Sequence, residues 1–340
     1  SHSGCSQKIV STETTLSNIL SPEHSKEKAG PKQTDFNSVT DLQVKNLQKL
    51  CKVWGYTKYT HPVFLLGEKD WDEELLALIP VIGNAESEGD ANDILYQWFS
   101  GLGEIDYGTD YIDPTLANSP KENVHVEADF SWLSDTAYLG EPLSNGIAQL
   151  SEIPTIERGH APVMFQSLEY KLPLFTNEKS YEDFDYADAK YRLLGLFRVW
   201  NVIEYYYPYL TILNDNWDEL LYQHIAQMLD GADKQTYHLT LASLTSKLHD
   251  AHVTYADKTY LNAEFGQYAA PVYLTSAEGR LVVGRVHEDY LNSCALLPGD
   301  VLLQINGIDI DVVINHRKQY LPIPNDEKMI SALSYCLLRS

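Results

Sequence analysis

Apolar positions fall first into helical spacing. Leu193, Leu196, Phe197, Trp200 and Ile203 stand at i, i+3, i+4, i+7 and i+10, which places them on one face of a helix. Pro208 stops that helix, because proline has no N–H to donate and restricts Tyr207 before it. After a loop, Asn216 or Asp215 can cap a second helix that opens on Trp217-Asp218-Glu219, where acids sit favourably in the helix dipole. A third helix is expected around His238 to Leu248. The same arrangement stands earlier in the chain. LQKLCKVWGYTKYTHP (47–62) matches LLGLFRVWNVIEYYYP (193–208) at an offset of 146 residues, and the offset carries Trp71-Asp72-Glu73 onto Trp217-Asp218-Glu219 without a gap. Across 47–106 there are 14 identities, where background composition gives roughly three or four. The pattern reads as a duplicated helical unit.

Between the two copies, Asp113-Pro114, Ser119-Pro120, Asn145-Gly146 and Ile153-Pro154 act as turn signals. Short alternating runs lie among them, Val124-His125-Val126 and Phe165 to Leu172, so an irregular, strand-containing insertion is expected. The period changes again near the end of the chain. PVYLTSAEGRLVVGRVHED predicts a hairpin turning at Glu278-Gly279, and a short helical segment, YLNSCALL, follows. LLPGDVLLQINGIDI then predicts a strand alternating through Val301, Leu303 and Ile305 and a tight turn at Asn306-Gly307. DVVINHRKQYL has helical spacing at Val312, Val313, His316 and Tyr320. The expected fold is α+β. A flexible tether spans 1–40, helical copies 41–106 and 181–262 flank an insertion at 107–180, and a β domain fills 263–340.

Composition narrows the function. The net charge of -23 supplies no Lys/Arg stripe for nucleic acid and disfavours docking to anionic lipid. The 23 Tyr and 6 Trp suit half-polar packing between small domains. Residues 1–40 are rich in Ser, Thr, Lys and Glu with little apolar periodicity, a composition that does not offset the entropy of ordering. Of four cysteines, Cys51, Cys294 and Cys336 sit in apolar settings and read as buried free thiols. Cys5 lies in the polar leader and is a candidate lipid anchor of a bacterial lipoprotein, the one expected link to a membrane. No apolar run approaches the roughly 20 residues of a membrane span. There is no CxxC and no HExxH. His249 and His252 are spaced to share a helix face but lack a third ligand, so no metal or cofactor is expected.

Pro298-Gly299-Asp300 before an apolar strand, followed by Gln304-Ile305-Asn306-Gly307, resembles a PDZ domain. The resemblance implies peptide binding by strand addition. Val272 and Leu274 would lie on the groove strand, with Gly266, Tyr268, Ala269 and Ala270 in the loop before it and Val313 and His316 on the facing helix. It also implies that the domain lacks its closing strand. KLHDAHVTY (247–255), at the end of a helical unit and just before this domain, resembles the Leu-x-Asp-x-His-Thr-type motif of tail-specific (C-terminal-processing) serine peptidases of the tricorn-like branch. Val253 stands where that motif has Thr. The resemblance makes His252 the general base for a Ser supplied by a later α/β domain of the same protein. It implies a polypeptide substrate or peptide C-terminus and a periplasmic or cell-surface location. Position 106, the counterpart of His252 in the first copy, is Asp106, as expected for a site specialised in one copy. No GxSxG elbow occurs, so the 340 residues are expected to be inert alone. The alternative from another class is a helical-plus-PDZ adaptor that only binds peptides. A carbohydrate-binding surface protein rests on aromatic content alone.

Overall fold

The computed structural model describes residues 38–106, 129–150, 160–165, 173–253, 258–334 and 336–339. Cys5, nearly all of the expected tether and the runs at 124–126 and 166–172 lie outside the described residues. The protein mixes helices with short antiparallel strands, and divides into two compact units, Pro31–Tyr237 and His238–Ser340.

The first unit is helical. Its α1 (Asp41–Thr60) opens on a capping box in which Thr40 Oγ1 accepts from Gln43 N–H and Gln43 Oε1 accepts from Thr40 N–H. The short α2 (Pro62–Leu65), α3 (Trp71–Gly83) and α4 (Glu88–Ser100) follow, capped by His61, Asp70 and Ser87. Next come α5 (Thr136–Leu139), α6 (Glu141–Ile147) and a ribbon of β1 (Met164–Phe165) with β2 (Pro173–Leu174). The long α7 (Ala189–Tyr206) stops where Tyr207 turns extended before Pro208, and α8 (Trp217–Asp230) is capped by Asn216 through Glu219 N–H. Leu193, Leu196, Phe197, Trp200 and Ile203 are all buried, as one apolar face requires.

The insertion departs from expectation at Asn145-Gly146, which lies inside α6 rather than in a turn. Leu143 and Ile147 are buried on that helix, and a Cβ on Gly146 would meet the Phe99 ring at 3.0 Å. Packing outweighs the turn propensity of the dipeptide, and glycine serves close approach rather than a bend.

Several local features recur at the sequence offset. Trp54 Nε1 donates to Trp71 O at 2.7 Å, and Trp200 Nε1 donates to Trp217 O at 3.1 Å. The third helix beyond α8 is α9 (Lys234–Ser246), four residues earlier at its start than expected and 146 residues after α4 at both ends. Contacts within the first unit also cross between the two segments. Lys52 Nζ bonds Asp218 Oδ2 at 2.7 Å, while Arg198 is ion-paired with Asp72. Gly55 lies against the Asn201 side chain, and the Tyr59 and Tyr205 rings meet edge to face at 5.6 Å.

Asp72 is fully buried and sits in a network of charges. Arg198 Nε reaches Asp72 Oδ1 and Glu178 Oε2, both at 3.2 Å, Tyr181 Oη donates to Asp72 Oδ2 at 3.2 Å, and buried Lys58 pairs with Glu178. Burial pushes the Asp72 carboxyl above its ordinary value, and the Arg198 guanidinium pulls the other way. Such a network holds the segment around 178–181 to α3 and α7, because removing one member leaves an uncompensated buried charge.

The second unit holds four of the six described strands. After α10 (Lys258–Phe265), β3 (Val272–Ala277) and β4 (Arg280–Val286) form a hairpin closed by Glu278 and Gly279, both at positive φ (+51° and +73°). That mirror-image turn matches the right-handed twist of the strands. A second small hairpin, β5 (Gln304–Ile305) with β6 (Ile308–Asp309), turns at Asn306 and Gly307, again both at positive φ. Then come α11 (Ile310–Lys318) and α12 (Asp326–Ser334). The expected alternation through Val301, Leu303 and Ile305 does not hold. Leu302 is the buried residue, its N–H on Leu281 O at 2.9 Å, and Leu303 is 44% exposed. Strand structure forms only at Gln304–Ile305, and Ile305 packs against the same apolar cluster as Leu302, so strict alternation fails at Leu302 and Leu303. In α11 the buried positions are Val313 and Arg317, and Val312 is exposed. Around YLNSCALL the chain makes only a 3-10 turn at Glu288–Tyr290.

Candidate functional site

The turn that carries His252 begins where α9 ends. Leu248 N–H and His249 N–H donate to Thr245 O and Ser246 O, and His249 then takes φ +48°. A left-handed residue is a common way to end a helical run and reverse the chain. Two anchors hold the turn. Leu248 is buried, and Ser246 Oγ donates to Gln319 O at 2.8 Å. The His249 ring faces outward to Ile323 O, with Nδ1 at 3.1 Å. His249 and His252 therefore share no helix face, because α9 has stopped before both. Among the described residues no group of three or more His, Cys, Asp or Glu could hold a metal ion.

Asp250 and His252 form the tip. Asp250 Oδ1 accepts from His252 N–H at 2.9 Å and lies 2.9 Å from His252 Nδ1. Val253 N–H donates to Asp250 O at 3.0 Å, closing the turn from the other side. The His252 side chain is 97% exposed and that of Asp250 24%. The imidazole is thus held at one nitrogen while its remaining edge faces solvent. Sequence reasoning singled out His252 but not Asp250. The signal was present as Asp two positions before His, since Asp side chains bond backbone two residues on.

The residues expected to bind a peptide are placed as follows. Val272 and Val313 are both buried, in one apolar cluster with Phe265, Leu333, Cys336 and Leu337, and Leu274 and Ala270 pack against it. Besides its hairpin partner β4, β3 is packed against by α12, whose Leu333 shares the apolar cluster with Val272 and Val313. Ala270 N–H donates to Leu338 O at 2.9 Å and Ala269 forms an isolated bridge with Arg339, so residues 338–339 lie along this edge. Gly266 has φ +107° and its carbonyl accepts from Arg339. Tyr268 stands outward at 76% exposure. His316 is engaged, with Nε2 2.9 Å from Glu264 Oε1 and Nδ1 3.2 Å from Gln319 Nε2. Val313 and Val272 come together, but as core; Tyr268 and His316 do not join them in an open groove.

Elsewhere, an open pocket of about 350 Å³ in the first unit is lined by Gly67, Lys69, Asp70, Trp71, His160 and Lys179 among others, none of them a site residue expected from the sequence. Cys51, Cys294 and Cys336 are free thiols, and burial pushes Cys51 and Cys336 above the ordinary thiol range, Cys336 to about 11. Among the described residues no helix is long and apolar enough to cross a membrane. Comparison of the chain with models of known protein families, with curated proteins and with solved structures gives no match.

Proposed function

We propose that this chain supplies the scaffold and the general base of a tail-specific serine peptidase. In this reading residues 47–106 and 193–252 are two copies of one helical unit, and 263–340 form a PDZ-like domain. The observation that carries it is the state of His252. A histidine kept for packing is buried, as His61 and His224 are, whereas His252 stands out of the fold with one ring nitrogen held by a carboxylate. A hydroxyl nucleophile needs an accessible imidazole to take its proton. The resemblance assigns that hydroxyl to a further domain of the same protein, acting on polypeptide chains outside the cytoplasm.

The reciprocity of the crossing contacts supports two copies. Shifting Lys52–Asp218 by the offset gives Arg198–Asp72, and Gly55 and Tyr59 each meet their own counterparts, Asn201 and Tyr205. A two-fold pair has this property, residue i meeting j while j meets i. The adaptor reading needs an open peptide groove, and the packing of Leu333 and Leu337 with Val272 and Val313 speaks against it.

The test uses the full-length protein. His252→Ala is expected to lower hydrolysis of an unfolded polypeptide by on the order of 10³-fold or more. The melting temperature should barely change, because the exposed ring supports no core contact. Unaltered turnover would reject the assignment.

A further inference from the structure

The geometry points to Asp250 as a positioning residue that fixes His252 as the Nδ1–H tautomer, leaving Nε2 bare and turned to solvent. The inference rests on His252 acting as a base and deepens that reading. Oδ1 of Asp250 is shared between two partners on the same residue, the His252 N–H and the His252 Nδ1, each at 2.9 Å. The backbone bond fixes where that oxygen sits, and the turn is closed independently by Val253 N–H on Asp250 O. The oxygen is therefore aimed at the ring by main chain rather than by a mobile side-chain pairing.

An ionised carboxylate can only accept. The ring nitrogen facing it must carry hydrogen, and in a neutral imidazole the other nitrogen then has a free lone pair. Free imidazole side chains favour the opposite form, with hydrogen on Nε2, so the carboxylate selects the minor tautomer. That selection has a chemical consequence. The nitrogen able to take a proton is the one turned outward, and the hydroxyl proton moves from oxygen to Nε2. The resulting imidazolium charge lies beside the Asp250 carboxylate, which stabilises it, and the proton leaves again from Nε2 to the departing group. Without Asp250 the outward nitrogen would mostly carry hydrogen, and only the minority of rings in the other tautomer would present a lone pair there. The exposure of the ring adds a second reason. With its side chain 97% exposed, His252 has little packing to hold its orientation, and the contact to Asp250 restrains the ring.

The experiment reads the tautomer directly. The 340-residue chain is prepared with ¹⁵N-labelled histidine, and ring nitrogens are correlated with ring protons by two-bond NMR at a pH where imidazoles are neutral. The His252 signals are assigned by their loss in His252→Ala. The expected result is Nδ1 in the range of a protonated ring nitrogen and Nε2 in the range of a bare one. Asp250→Ala should reverse the two, with the amide spectrum elsewhere unchanged. Hydrogen on Nε2 in the unsubstituted chain overturns the inference whether or not the variant folds. An unchanged pattern in a folded Asp250→Ala overturns it as well. The two readings fail separately. A wrong tautomer removes Asp250 and leaves His252 to be judged by turnover, whereas unaltered turnover in His252→Ala removes the base with the tautomer still as measured.

Discussion

At the scale of single residues, His61 shows how a buried polar group ties stability to pH. Its Nδ1 accepts from Val63 N–H at 3.2 Å and caps α2, so the neutral ring carries hydrogen on Nε2, which has no partner among the described residues. The rings of Phe64 and Phe99 stand edge-on around it. Burial lowers the His61 pKa from 6.5 to about 4. Between those values the unfolded chain binds a proton that the folded chain refuses. The neutral ring's contribution is whole above pH 6.5 and is lost as pH falls through about 4, amounting to about 3 kcal/mol. Glu204 works in the opposite sense. Burial, with Asp218 beside it, raises its carboxyl to about 7, so its contribution is whole below the ordinary carboxylate range and is lost as pH rises through 7. The two slopes partly cancel in the native protein, which makes a variant more informative than the profile itself. His61→Asn keeps an oxygen acceptor at the cap and removes the titration. Urea unfolding at pH 7 and pH 4 should show the variant losing about 3 kcal/mol less than the native chain over that span. Equal losses would mean that His61 is readily protonated in the fold.

Between elements, the crossing of α1 and α7 is set by one small residue. A Cβ on Gly55 would lie 1.7 Å from Asn201 Oδ1, and Asn201 is itself fixed, its Nδ2 donating to Phe197 O at 2.9 Å and Cys51 O at 3.2 Å. Gly55→Ala should therefore destabilise by about 2–3 kcal/mol through overpacking and lost hydrogen bonds, even though alanine is the better helix former. Adding Asn201→Gly should recover at least half of that loss, and strictly additive effects would show that the two positions do not meet. The helices themselves were legible in the chain. Pro208 ends α7 and Asn216 caps α8 because both act through local backbone chemistry. The inward and outward positions of the segment 301–305 were not legible. Val301, Leu302 and Leu303 are all apolar, and only the pairing of Leu302 N–H with Leu281 O decides which one faces the core.

For the molecule as a whole, the decisive feature is that Val272 and Val313 are buried in one apolar cluster with Leu333 and Leu337 of the same unit. Ala270 N–H is already bonded to Leu338 O, so a peptide carboxylate has no free donor at that position. Peptide pairs differing only in a free or amidated C-terminus should bind the 340-residue chain equally weakly in calorimetric titration. A clear preference for the free acid would mean that the segment around 336–339 gives way. The sequence by itself determined the helical periodicity and the turn chemistry at Glu278-Gly279 and Asn306-Gly307, which depend on neighbours a few positions apart, and it displays the 146-residue recurrence as identities along the chain. Tertiary structure alone decided the rest. Lys52 meets Asp218 and Arg198 meets Asp72 across more than a hundred residues, and Gly146 becomes helical against Phe99. Val272 and Val313 become core rather than groove once Leu333 and Leu337 pack beside them. The physical reason is that burial depends on which surfaces meet, and local spacing carries no information about a partner far along the chain.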